Sequence, residues 1–316
     1  MELLTGIVIK STGSWYKVMT AKEEFYDCRI KGKFRLKGLK STNPVAVGDK
    51  VRFHFDSKLN CSIIDEITER KNYIARKASN LSKQYHIIAS NLDLAVLITT
   101  VDRPAVSPGF IDRFLVIAAA HEIDSCIVFN KSDLESNDEF FARQSYLSEL
   151  YKSLGYKVLQ ISAKTGQNLE FVKEMIADKI CLFSGQSGVG KSTLLKKLNP
   201  ELSLKTSEIS GYTGKGIHAT TFYEMHKIFN NTYVIDSPGL KELGLFEFEP
   251  FEISLFYPEM KKYAGQCRFN TCLHINEPGC AVLQAFKNNE ITYERYASYL
   301  KIIEDFKDEK AYYSKK

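Results

Sequence analysis

"GQSGVGKS", Gly185–Ser192, is the stretch from which the fold can be read. It follows the apolar run "KICLF" and precedes "TLLKKL", whose leucines have helical spacing. A Gly-x-x-x-x-Gly-Lys-Ser octet between a strand and a helix predicts a phosphate-binding loop. Its glycines let successive backbone N–H groups turn inward, and the helix N-terminus adds its dipole. Gly185, Gln186, Ser187, Gly188, Val189, Gly190, Lys191, Ser192 and Thr193 are therefore candidate nucleotide contacts. Lys191 suits the β- and γ-phosphates, and the Ser192 hydroxyl suits Mg²⁺.

Working outward, "DSPG" (Asp236–Gly239) follows the strand-like "TYVI" and begins 44 residues after Ser192. A carboxylate at a strand end can hold the same Mg²⁺, and the Gly239 N–H can meet a γ-phosphate. "NKSD" (Asn130–Asp133) and "SAKTG" (Ser162–Gly166) each close an apolar run upstream. The Asp133 carboxylate can accept from the ring N–H and exocyclic amine of guanine, a donor pair that adenine lacks. Asn130, Lys131 and Ser132 would brace that loop. Ser162, Ala163 and Lys164 would complete it, with the Ala163 N–H within reach of the guanine carbonyl. Asp133 comes 52 residues before Gly185, although base-reading motifs ordinarily follow the phosphate loop. Termini that lie close together allow a sheet to be reopened elsewhere. The expectation is a circularly permuted P-loop GTPase over residues 72–243, an α/β fold whose parallel strands end at one shared edge.

Two regions flank it. Residues 1–71 read as short strands, among them "GIVIK", "WYKVMT" and "SIIDEI", with Val51, Phe53 and Phe55 alternating against Arg52 and His54. A small OB-type β-barrel is the expected packing. These 71 residues hold 14 Lys/Arg against 9 Asp/Glu, whereas the rest of the chain holds 29 of each, so the net +5 belongs to the barrel. "KGKFRLKGLK" (Lys31–Lys40) suits a loop lying on an RNA backbone, or equally an edge strand guarded by lysines. Residues 244–316 are expected to be mostly helical, with "KNNE" separating two helices and Tyr296, Tyr299, Leu300 and Ile303 forming a core stripe. Within them, Cys267-x4-Cys272-x-His274-x5-Cys280 supplies the three thiols and one imidazole of a closed tetrahedral structural Zn²⁺ site. With a thin core around it, that metal would supply much of the local folding free energy.

Hydrophobic content of 44% and charged content of 26% are ordinary for a globular protein. "MELLTGIVIK" does not read as a signal peptide, and no run approaches the roughly 20 apolar residues of a membrane span. A cytoplasmic, monomeric protein with no membrane partner and no disulfides is expected.

A permuted GTPase between a β-barrel and a Cys/His cluster resembles one family, the ribosome small-subunit-dependent GTPase A proteins. The resemblance spans nearly the whole chain through "DRFL", "NKSD", "SAKTG", "GQSGVGKSTLL", "GKGIHATT", "DSPGLKELGL" and "CRFNTCLHINEPGCAV". It implies GTP hydrolysis stimulated by the small (30S) ribosomal subunit, contact with its rRNA, and a part in late maturation of that subunit. A GTP-regulated RNA-binding module with little turnover is the alternative. The family shows His-Thr-Thr in its first switch, where this chain has His218, Ala219, Thr220 and Thr221. Thr220 is assigned as the Mg²⁺ ligand, with Thr221 as its substitute. Leu240 occupies the place where many GTPases carry a water-orienting Gln, so His218, in a glycine-rich loop, becomes the candidate catalytic group.

Overall fold

The computed structural model describes residues 3–30, 41, 43–77, 85–134, 138–202, 223–236, 244–245 and 247–314. Lys31–Lys40, His218, Thr220, Thr221, Gly239 and Leu240 lie outside the described residues.

The first five strands, β1 (Leu4–Ser11), β2 (Tyr16–Met19), β3 (Phe25–Ile30), β4 (Lys50–Asp56) and β5 (Cys61–Ile67), close into a barrel of order β1-β2-β3-β5-β4. Val8, Val18, Phe53 and Ile64 fill it. One detail departs from the simple alternation of β4. Val51 and Phe53 point into the barrel as expected, but His54 is buried as well and meets Asp65 at 2.5 Å, while Phe55 is 54% exposed. The register between β4 and β5 shifts here because Asp65 is an extra, unpaired residue on β5, and it is this residue that His54 meets. A two-stranded ribbon, β6 (Tyr73–Lys77) with β7 (Tyr85–Ser90), then leads into the central domain. The barrel is pinned to that ribbon by the buried Asp49, which takes Arg70 through two 2.7 Å contacts and the Ser90 hydroxyl at 2.6 Å.

The central sheet has six strands, in the order β10 (Lys157–Gln160), β9 (Ser125–Phe129), β8 (Leu94–Thr99), β11 (Ile180–Ser184), β13 (Thr232–Asp236) and β12 (Met225–Phe229). All neighbours are parallel except β12 with β13. Every residue of β8 is buried because helices cover both faces. Ala95 and Leu97 face α1 (Pro108–Ala120) and α2 (Asp138–Ser153). Val96 and Ile98 face α3 (Leu169–Ile176) and α4 (Lys191–Leu198). The phosphate loop leaves β11 at the centre, and the base motifs leave β9 and β10 on one side of it. The motif beginning at Asp236 leaves β13 on the other side. This is the spatial arrangement that the permuted chain order requires.

The C-terminal region contains a 3-10 segment (Pro250–Phe256), α5 (Pro258–Ala264), α6 (Ala281–Lys287) and α7 (Tyr293–Ser314). Its core is not thin. Met260, Cys272, Cys280, Val282 and Tyr299 join Leu97, Phe114 and Phe129 in one continuous hydrophobic cluster. The metal-ligand segment therefore shares the core that α1 lines, held by α7 and the 3-10 segment, and burial contributes to its folding alongside any ion. Among the described residues, no helix is long and apolar enough to cross a membrane.

Candidate functional site

The phosphate loop turns on its glycines. A Cβ built on Gly185 would lie 2.1 Å from the Ile98 carbonyl oxygen, so β8 and the loop approach too closely for any side chain. Gly190 has φ +92°, and a Cβ there would lie 2.4 Å from Asn130 Nδ2. Ser187, Gly188, Ser192 and Thr193 are exposed along the loop and the start of α4, where phosphate and metal would be met. Lys191 Nζ and Asp236 Oδ1 lie 2.7 Å apart. The cation suited to phosphate and the carboxylate suited to Mg²⁺ thus neutralise each other. A phosphate–metal pair entering between them would give each its proper partner.

Asn130 ties the site together. Its Nδ2 donates to the Val189 carbonyl at 2.8 Å, and its Oδ1 accepts from the Ala163 N–H at 2.9 Å. One buried side chain therefore bridges phosphate loop and both base motifs. The Ala163 N–H, expected at the guanine carbonyl, has Asn130 as its partner here. Asp133 is aimed by its neighbours: Ser162 Oγ donates to Oδ1 at 2.6 Å, and Lys164 Nζ lies 3.9 Å from Oδ2. The Ser132 N–H donates to the Ile161 carbonyl at 3.0 Å, holding the loop between β9 and β10. Lys131, at φ +67°, sends Nζ to the Arg103 carbonyl at 2.6 Å. That contact recruits the loop after β8, whose Pro104 also borders Gly188. The part played by this loop was not legible in the sequence, because a backbone carbonyl leaves no residue signature.

The second cluster is the metal-ligand set. The donor atoms of Cys267, Cys272, His274 and Cys280 all lie within 4.8 Å of one another. His274 Nδ1 is 3.5 Å from Cys267 Sγ and 3.3 Å from Cys280 Sγ, while its Nε2 meets Ser254 Oγ at 3.0 Å. Ser254 thereby orients the ring so that Nδ1 faces the thiols. Burial pushes the Cys272 thiol up to about 12 and lowers the His274 imidazole from its ordinary value. The neutral imidazole is the form that ligates a metal, and a bound cation would reverse the penalty on the thiolate. Three thiols and one imidazole, largely enclosed, fit a structural metal ion with no open position for chemistry. The Glu277 carboxylate accepts the N–H groups of Leu273, Ile275 and Asn276 at 2.7, 2.7 and 3.0 Å and so shapes the ligand loop. Tyr296 and Tyr299 of α7 donate to the carbonyls of His274 and Leu273 at 2.7 and 2.8 Å. The tyrosine stripe expected in the core is there, and it also clamps the metal-ligand turn.

Basic and aromatic side chains lie on the outer face of the barrel. Arg29 sits 3.9 Å over the Trp15 ring, and Lys17 sits 5.3 Å from Phe25, which is 55% exposed. Planar aromatic and guanidinium groups beside positive charge suit nucleic-acid bases and phosphates.

The family model described as RsgA GTPase matches residues 67–246, and that described as RsgA N-terminal domain matches residues 5–63. The chain is 50% identical over 303 residues to a protein of Flavobacterium johnsoniae called small ribosomal subunit biogenesis GTPase RsgA, covering 95% of this chain and 93% of that one. A protein of the same name from Bacteroides fragilis is 47% identical over 302 residues, covering 96% and 97%. Among solved structures, YjeQ from Thermotoga maritima superposes with a TM-score of 0.77 at 33% identity, covering 96% of this chain and 98% of that one. YloQ, described as a circularly permuted GTPase, gives a TM-score of 0.73 at 27% identity, covering 97% and 96%.

Proposed function

The chain belongs to the RsgA GTPase family and hydrolyses GTP, and from that premise we propose that it does so on the small (30S) ribosomal subunit during late maturation. The observation that carries the nucleotide reading is the Asn130 bridge, which joins the phosphate loop to the guanine-selective motifs across the permuted order. In this reading Asp133 selects guanine, and Lys131 and Lys164 flank the base. Gly185–Thr193 and Gly239 bind the phosphates. Ser192, Asp236 and Thr220 would hold Mg²⁺, which supplies charge neutralisation between the β- and γ-phosphates. His218 orients the attacking water, a task that Leu240 cannot perform.

The partners follow from charge. The net +5 of residues 1–71, with Trp15 stacked on Arg29, supports rRNA contact by the barrel. The division into a barrel (1–71), a GTPase domain (72–243) and a zinc-binding region (244–316) belongs to the same proposal. So do zinc as the ion at Cys267, Cys272, His274 and Cys280, a monomeric state and a cytoplasmic location. Purified small and large subunits, added separately to the GTP-loaded protein, test the reading through phosphate release. Acceleration by small subunits alone is the expected result. Equal acceleration by both, or by neither, would overturn it, and the second outcome would leave an RNA-binding module with little turnover.

A further inference from the structure

The motif Asp112-Arg113-Phe114-Leu115 has no part in the nucleotide site, yet its two charged residues have specific partners far along the chain. Asp112 is fully buried on α1, with Oδ1 taking the Tyr151 hydroxyl at 2.7 Å and the guanidinium of Arg295. Arg295, 1% exposed on α7, spans Asp112 and Glu259 of α5, with its Nε 2.6 Å from Glu259 Oε1 and its plane over Tyr257. Arg113, next in sequence, meets Asp305 of α7 at 2.6 Å.

Both ends of α1 also have assigned contacts. Ser107 caps its start, and the preceding loop supplies the Arg103 carbonyl to Lys131 and sets Pro104 beside Gly188. On the other side, Tyr296, adjacent to Arg295, holds the His274 carbonyl. A packed path therefore runs from phosphate loop and base motif, through α1 and Arg295, to the metal-ligand turn. Phe248, further along the chain from Asp236, packs edge-on against His121 at the C-cap of the same helix.

We propose that this clasp couples the two sites: nucleotide bound at Gly185–Ser192 changes the affinity of the Cys267/Cys272/His274/Cys280 cluster for its metal ion. The proposal rests on the nucleotide and metal readings above. A buried guanidinium shared by two carboxylates cannot slide gradually without leaving a charge unpaired, so α1 and α7 shift together or not at all. Coupling is reciprocal, so removing the ion must change nucleotide affinity by the same factor.

The test uses the full-length protein and Zn²⁺, with a chromophoric chelator as competitor, in nucleotide-free, GDP-bound and GTP-analogue-bound states. Zinc affinity is expected to differ between states by about five-fold or more. Fluorescent-GDP affinity of zinc-loaded and zinc-stripped protein should differ by the factor that GDP imposes on zinc. Asp112→Asn should abolish the coupling, and so should Arg295→Lys, which keeps the charge but loses the fork that spans both carboxylates. Arg295→Lys decides the matter if Asp112→Asn does not fold. One zinc affinity in all three states, with nucleotide demonstrably bound, would overturn the proposal alone. Coupling that persists in a folded variant would also overturn it. Failure to bind GTP at all would overturn the nucleotide reading and this proposal with it.

Discussion

Replacing Asn130 with Ala removes one amide and should weaken the nucleotide site from two directions. The side chain is 3% exposed and makes a 2.8 Å bond to the Val189 carbonyl and a 2.9 Å bond from the Ala163 N–H. Truncation leaves both backbone groups without partners, and Val189 and Ala163 are themselves 0% and 1% exposed. Each buried orphan costs about 1–3 kcal/mol, so the pair amounts to about 2–6 kcal/mol. A water entering the vacated amide volume would restore part of this, which places the expectation at about 2–4 kcal/mol. The loss divides between folding and binding. If about 2 kcal/mol falls on the ordering of the loops around nucleotide, affinity drops about thirty-fold. Fluorescent-GDP titration reads the binding share, and urea denaturation reads the folding share. Asn130→Asp sharpens the test, because it keeps an acceptor for Ala163 but turns a carboxylate toward the Val189 carbonyl. It should be no better than the alanine variant. Affinity within two-fold of wild type, together with an unchanged denaturation midpoint, would show that the bridge contributes nothing and refute the reasoning.

Three further outcomes are expected. Asp133→Asn should weaken GTP binding and shift preference toward xanthine nucleotides, because the donor pair of guanine loses its acceptor; a competition titration with GTP, XTP and ATP checks it, and unchanged selectivity would remove Asp133 from base reading. His218→Ala should leave nucleotide affinity near wild type while lowering subunit-stimulated phosphate release by about 10²-fold or more, the usual contribution of a positioned acid–base group; an unchanged stimulated rate would exclude it. Burial lowers His121 to about 4, against about 6.5 for an unfolded histidine. As pH falls from 6.5 toward 4, the unfolded chain takes up a proton that the folded protein refuses, so stability present above 6.5 is lost by about 3 kcal/mol across that window. His121→Gln should flatten the dependence of the urea midpoint on pH between 6.5 and 4.5, and an identical slope would contradict the assignment.

The sequence by itself determined the chemistry that is carried by contiguous residues. A phosphate loop is a backbone conformation imposed by Gly185, Gly188 and Gly190 on their immediate neighbours, so eight letters suffice to read it. The Cys267–Cys280 ligand set is legible for the same reason: all four donors lie within one short turn-rich segment. The five parallel strands of the central sheet were legible as apolar runs, as "LAVLIT" shows, whereas the antiparallel edge strand β12, with His226 and Lys227 in it, was not. The permutation was legible as well, because each motif announces its own role wherever it falls in the chain.

Tertiary structure decided everything that depends on which distant residues meet. Nothing local marks Arg295 as a buried residue, since an arginine beside the tyrosine stripe ordinarily reaches solvent. It is buried because Asp112, 183 residues away, and Glu259 arrive from other elements to compensate its charge. The burial of His54 goes with its contact to Asp65, the extra residue of a bulge on β5, which no pattern within β4 records. Likewise, the shared core of α1 and the metal-ligand region arose from packing between separate stretches of chain. Burial and pairing are properties of two surfaces together, and a single stretch of sequence specifies one surface at a time.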